Sequence, residues 1–155
     1  MKYHYELFAD YFQFYLQDEQ IGEDLSNSWT ENAIARMLAT AIGTIGIGTV
    51  RNTHVPVTIE LLESEPFPDL ADWDHVTECS IDLPSGNVVV AGCMDYLPTA
   101  ACIEVAPGLY RARIAYGSLD TLSEDGLDGD DHYRIQLWRG ESAESQVLKQ
   151  WKLWQ

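Results

Sequence analysis

Residues 11–17 alternate, with Phe12, Phe14 and Leu16 on one side and Tyr11, Gln13, Tyr15 and Gln17 on the other. That period of two is what a half-buried strand requires. A shorter strand over 3–8 precedes it. Ser28 and Glu31 then stand at the Ser-x-x-Glu spacing of a capping box, in which the serine oxygen and the glutamate satisfy free backbone amides. Ile34, Met37 and Leu38 follow on one helical face, so one short helix is predicted over 29–40. Beyond it, β-branched residues dominate, and 44–50, 55–62, 75–82, 87–91, 101–105, 109–116 and 132–138 all read as strands. Turn chemistry separates them: Pro66 and Pro68 around Phe67, Pro84-Ser85-Gly86-Asn87, and Pro107-Gly108. The tail from Gly140 on, with Val147, Leu148, Trp151 and Trp154, has roughly helical spacing.

Many short strands punctuated by turns, without long alternating helices, favour a mainly β fold, an antiparallel β-sandwich. A chain of 155 residues with 46% hydrophobic residues can bury one core of ordinary size, so 1–155 is expected to form a single domain. The longest apolar stretch, 39–50, falls short of the twenty or so residues of a spanning helix. The first sixteen residues carry Glu6 and Asp10 and lack the basic flank and apolar core of a signal peptide. A cytoplasmic location without membrane association is the expectation. Cys79, Cys93 and Cys102 are odd in number and lie in strand-like segments, where free cysteine behaves as a small apolar side chain, so no disulfide framework is expected.

Charge changes the picture. The formal net charge is -16, and the acids are unevenly spread. Residues 52–110 hold ten acids and no lysine or arginine, and extending to 131 adds six acids against Arg111 and Arg113. Such a field repels nucleic acid and anionic membrane and attracts basic proteins or cations. Direct nucleic-acid binding is therefore excluded as a function class. Solubility alone is the competing account of the acidity.

The densest acids, Asp120, Glu124, Asp125, Asp128, Asp130 and Asp131, fall between two predicted strands, with Gly126 and Gly129 giving the backbone freedom a compact loop needs. They are the candidate partner-binding residues. Glu63, Glu65, Asp69, Asp72 and Asp74 form a secondary acidic region. The loop offers enough carboxylates for calcium, yet lacks the ligand spacing and closing glutamate of an EF-hand. Gly43, Gly46 and Gly48 imitate a phosphate loop, but a helix precedes and a strand follows them, the reverse of a phosphate cradle. They read instead as a helix C-cap and close backbone packing. His4, His54, His75 and His132 reproduce no zinc pattern with the cysteines, and no nucleophile elbow is present. Neither a metal nor a cofactor is expected.

On 109–116, Tyr110, Ala112, Ile114 and Tyr116 face one way and Arg111 and Arg113 the other. If 132–138 pairs with this strand, Arg134 joins a basic strip, which cross-strand pairing with nearby carboxylates accounts for.

The order of features resembles the competence protein J family, bacterial inhibitors of a DNA-entry nuclease. The resemblance is carried by Tyr11-Phe12-Gln13-Phe14 in an opening strand, Trp29 with a short helix, and a glycine-flanked strand over 44–47. Near the end it adds Pro107-Gly108-x-Tyr110 and Asp131-His132-Tyr133-x-Ile135. Parts of it are also similar to uncharacterised bacterial β proteins. The chain departs from the family in its longer acidic loop and tryptophan-containing tail. Membership implies a β-sandwich, a protein partner and no catalytic residues.

The leading expectation is a non-enzymatic acidic binding protein, inhibitor or immunity-like, docking on a basic protein such as a nuclease or toxin. The alternative is a β-sandwich that binds a small ligand such as carbohydrate, with or without calcium. A hydrolase would require a deep pocket holding perturbed carboxylates or a histidine.

Overall fold

The computed structural model describes residues 1–95 and 99–151. Two sheets face one another. One has six strands in the order β1 (Lys2–Phe8), β5 (His54–Leu61), β10 (His132–Arg139), β9 (Gly108–Gly117), β6 (His75–Leu83), β11 (Gln146–Lys149). The other has five, in the order β3 (Leu38–Ala41), β4 (Thr44–Gly48), β2 (Gln13–Asp18), β7 (Asn87–Gly92), β8 (Ala101–Glu104). Every pairing is antiparallel except that of β10 with β5, which is parallel.

The alternating residues fill the space between the sheets. Phe14, Leu16, Ile45 and Ile47 from one sheet meet Ile59, Ile114, Tyr116, Tyr133 and Ile135 from the other in one buried cluster. The Phe14 and Tyr133 rings meet edge to face at 6.0 Å, across the two sheets. The sandwich and its strands follow the sequence expectation.

Four local expectations are corrected. Residues 11 and 12 are not strand: they belong to the 3-10 turn η1 (Asp10–Phe12), and Tyr11 and Phe12 have φ of 59° and 61°. Phe12 is therefore exposed, while Phe14 and Leu16 carry the buried face.

The helix α1 is confined to Glu31–Arg36. Thr30, not Ser28, caps it, its Oγ1 accepting from Ala33 N at 3.2 Å. Met37 ends it in the left-handed region, and Leu38 opens β3 instead of continuing a helical face. Tertiary bonds hold this conformation, since the Met37 carbonyl accepts from Tyr116 Oη at 2.6 Å and Gly48 N at 3.0 Å.

Gly43 accordingly lies in the β3–β4 turn with φ of 66° and does not cap the helix. Gly46 does serve close packing, because a Cβ there would run into Leu25 and sit 2.9 Å from the Trp29 ring.

The tail is strand, not helix: β11 pairs with the outer edge of β6, with an irregularity between Val147 and Lys149. The open backbone edge of β6 outweighs the tail's apolar spacing. Trp154 lies outside the described residues.

Candidate functional site

The hairpin of β9 and β10 decides where charge sits. Its register, His132 opposite Gly117, closes 118–131 into one loop. Both ends of the loop are anchored. Leu119 is buried and its N–H donates to Asp74 Oδ2 at 2.8 Å. At the other end Asp131 is fully buried: Arg51 Nε lies 2.6 Å from its Oδ1, and Tyr133 Oη donates to its Oδ2 at 2.7 Å. The Arg51 contact is an ion pair whose angle departs from that of a hydrogen bond. Burial, with Asp131 alongside, drives the Tyr133 hydroxyl pKa well above its ordinary value.

Between these anchors the loop is stitched to itself. Ser123 Oγ donates to Asp125 Oδ1 at 2.5 Å, and Leu127 N donates to the same oxygen at 3.0 Å. These bonds hold the Asp125 carboxyl below the usual carboxylate range. Asp130 N donates to Thr121 Oγ1 at 2.8 Å. Gly126 turns the chain with φ of 74°, and Gly126 N donates to the Ser123 carbonyl at 2.9 Å. Such a lattice presents Asp120, Glu124, Asp125, Asp128 and Asp130 outward, all exposed. None of these five makes an ion pair among the described residues.

Asp131 is thus separated from the five acids it was grouped with. The secondary acidic region divides similarly. Glu63, Glu65 and Asp72 are exposed. Asp74 holds the loop base, as above. Asp69 takes both ends of the Arg134 guanidinium, at 2.9 and 2.8 Å. Those charge-assisted bonds keep the Asp69 carboxyl below its ordinary pKa. Among the described residues, no three His, Cys, Asp or Glu side chains converge as metal ligands.

The arginines of the outer face are consumed internally. Glu78, opposite Arg113 in the β6–β9 register, receives Arg113 Nε at 2.8 Å and Arg111 Nη2 at 3.2 Å. Arg113 also stacks over Trp138 at 5.2 Å, and Arg134 over Trp73 at 4.7 Å. The strip expected from alternation is present; cross-strand Glu78 neutralises Arg111 and Arg113, and Asp69, outside the strands, pairs with Arg134. Nine lysines and arginines oppose 25 acids in the chain. Four of the nine, Arg51, Arg111, Arg113 and Arg134, are bound to acids inside the fold.

One apolar concavity was missed by sequence reasoning. A groove of about 620 Å³ is lined by apolar side chains that include Tyr11, Phe12, Trp29, Ile34, Leu122 and Trp151. Trp29 is oriented by its Nε1, which donates to Gln13 Oε1 at 2.7 Å. Trp151 N donates to His75 Nδ1 at 3.1 Å, so the other ring nitrogen carries the proton that His75 gives to the Arg36 carbonyl at 2.6 Å. Burial lowers the His75 pKa, consistent with a neutral ring. Reading Tyr11 and Phe12 as strand hid this groove; the only signal was an aromatic run larger than one sheet face could bury.

No protein-family model matches the chain, and no curated protein matches it in sequence. Solved structures do match. The crystal structure of ComJ from Bacillus subtilis, an inhibitor of the DNA degrading activity of NucA, superposes with a TM-score of 0.70 at 18% identity. The match covers 90% of this chain and 98% of ComJ. The fold is ComJ-like. The protein of crocagin biosynthetic gene J also matches, with a TM-score of 0.62 at 20% identity, over 91% of this chain and 98% of that one. The ComJ-like fold agrees with the resemblance carried by the aromatic opening segment and the two closing strands. No described helix is long and apolar enough to cross a membrane.

Proposed function

We propose that this protein is a non-enzymatic inhibitor that docks on a basic protein, a nuclease or a toxin, through the acidic face built on the β9–β10 loop. The observation that carries this reading is the loop itself. Five exposed carboxylates sit on an anchored, internally bonded scaffold, and none of them forms an ion pair among the described residues. A nuclease presents a basic surface to DNA, and a preorganised acidic loop can cover that surface, with association that is steered by charge and weakens as salt rises. The likeness to ComJ supports a nuclease as the target. The same acids repel DNA, which keeps the inhibitor off the substrate.

DNA degradation by a nuclease encoded beside this protein tests the reading. Added protein is expected to slow degradation at low salt and to lose that effect when Asp125, Asp128 and Asp130 are all changed to Asn. Full inhibition by the triple variant would remove the loop from the interface. Undiminished degradation with the wild-type protein would remove the inhibitor role.

A further inference from the structure

The groove gathers side chains that solvent does not favour. Tyr11, Phe12 and Ile34 are 70%, 52% and 54% exposed, and all three line the same concavity. Large apolar residues collected in one patch mark interaction sites, unlike the same residues scattered singly. Tyr11 and Phe12 reach it from left-handed backbone, a conformation unfavourable for residues that carry a Cβ. The surrounding fold imposes it: Phe12 N donates to the Ala9 carbonyl at 3.1 Å and Thr49 N donates to the Phe12 carbonyl at 2.9 Å.

Charge narrows the occupant. Asp10 precedes Tyr11, Glu31 opens α1 on the helix that carries Ile34, and Asp120 and Glu124 flank Leu122 at two residues on either side. None of these four acids is ion-paired among the described residues. Of the arginines on adjoining segments, Arg51 is neutralised by Asp131, while Arg36 donates its Nε to the Leu38 carbonyl at 2.8 Å and keeps its charge, leaving four acids against one base on these segments. An uncharged ligand would leave the acids unused. A second copy of this chain, also at -16, would bring like charge against like.

We infer that the groove receives a large apolar side chain carried on a lysine- and arginine-rich segment of the protein partner. The apolar anchor is desolvated at the centre while flanking bases meet acids carried on the segments that line it, the division of labour found in protein interfaces. This inference rests on the protein-partner reading above, and Leu122 joins the two, since it belongs to the acidic loop and also lines the groove.

Fluorescence anisotropy with three labelled decapeptides tests it: alternating Lys and Trp, the same peptide with Ser replacing Trp, and the same with Glu replacing Lys. The Lys–Trp peptide is expected to bind at least tenfold tighter than either other peptide. Ile34→Gln and, separately, Tyr11→Ser are expected to weaken it tenfold or more at unchanged melting temperature. Equal binding of the Lys–Ser peptide would reduce the site to its acids, and equal binding of the Glu–Trp peptide would make it a neutral apolar pocket. A wild-type dimer that Ile34→Gln dissociates would assign the groove to a second copy. Each of these overturns the inference. In the nuclease assay, inhibition that survives Ile34→Gln overturns the groove assignment and leaves the inhibitor reading standing. Peptide binding at the groove by a protein that inhibits no nuclease does the reverse.

Discussion

Strands β9 and β10 carry arginines on their outer face, the loop that joins them carries acids, and the two regions handle charge in opposite ways. On the strands, Arg111, Arg113 and Arg134 are each tied to a carboxylate and packed against Trp138 or Trp73 or among backbone carbonyls. On the loop, Asp125 accepts from the Ser123 hydroxyl and the Leu127 backbone, and the five outward carboxylates form no ion pair among the described residues and leave their charge to solvent. Asp130 and Asp131 show the border, one exposed and the next fully buried against Arg51 and Tyr133. A count of acids treats these two residues alike; the fold gives one to stability and leaves the other to the surface.

The sharpest break of that contrast is Asp131→Ala. It strands a buried Arg51 guanidinium, and removing one partner of a buried pair costs about 3–5 kcal/mol. Denaturant unfolding should show the loss, whereas Asp130→Ala at the adjacent position should move the midpoint very little. Equal effects from the two would erase the distinction drawn here.

Acidification probes the interior by a second route. His75 is neutral in the fold, its Nδ1 accepting from Trp151 N, and its pKa lies below the ordinary value of about 6.5. The unfolded chain therefore takes up a proton first as pH falls. Stability from His75 is complete above about pH 6.5 and declines below it until the folded pKa is passed. Asp69, held down by Arg134, acts at lower pH: its contribution is present above the unfolded carboxylate pKa of about 3.9 and lost as pH falls through its folded value. Urea midpoints between pH 7.5 and 5 should fall for the wild type and flatten for His75→Gln, with Asp69 silent over that range.

Gly126→Ala tests whether the loop is a built scaffold or a slack connection. The φ of 74° disfavours a Cβ although the space beside it is open, so a loss of about 1 kcal/mol is expected from backbone conformation alone. A loop without defined structure would show no loss in thermal melting.

The smallest stability effect belongs to the outward acids. Asp125→Asn, Asp128→Asn and Asp130→Asn should each stay within about 0.5 kcal/mol of wild type, as surface changes usually do. Their combination should nevertheless lower the rate of association with a basic partner and flatten its salt dependence in stopped-flow measurements. A large loss of melting temperature in the triple variant would place these acids with Asp131 as structural groups.

The sandwich was legible because its core strands alternate or run apolar. Phe14 and Leu16, then Tyr110, Ala112, Ile114 and Tyr116, fall on the face that the period assigns to them. The cross-strand neutralisation of Arg111 and Arg113 was also foreseeable, since strand pairing brings opposite charges to adjacent positions. The short helix was overextended because apolar spacing at Ile34, Met37 and Leu38 says nothing of Met37 entering the left-handed region. Tyr116 Oη and Gly48 N stabilise that turn from segments distant in the chain. The tail misled for a related reason: its spacing suited a helix, while the unpaired edge of β6 offered a strand.

Within this sequence, hydrophobic period determined the two-sheet fold, and the distribution of acids determined the sign of the surface. Both are sums over many residues, and local errors leave them intact. Tertiary structure alone decided which acid is buried, which arginine is neutralised, and that Tyr11, Phe12, Trp29, Ile34, Leu122 and Trp151 share one groove. These are pairings between segments far apart in the chain, set by sheet register and by desolvation at single atoms, and neither quantity has a period that a sequence can display.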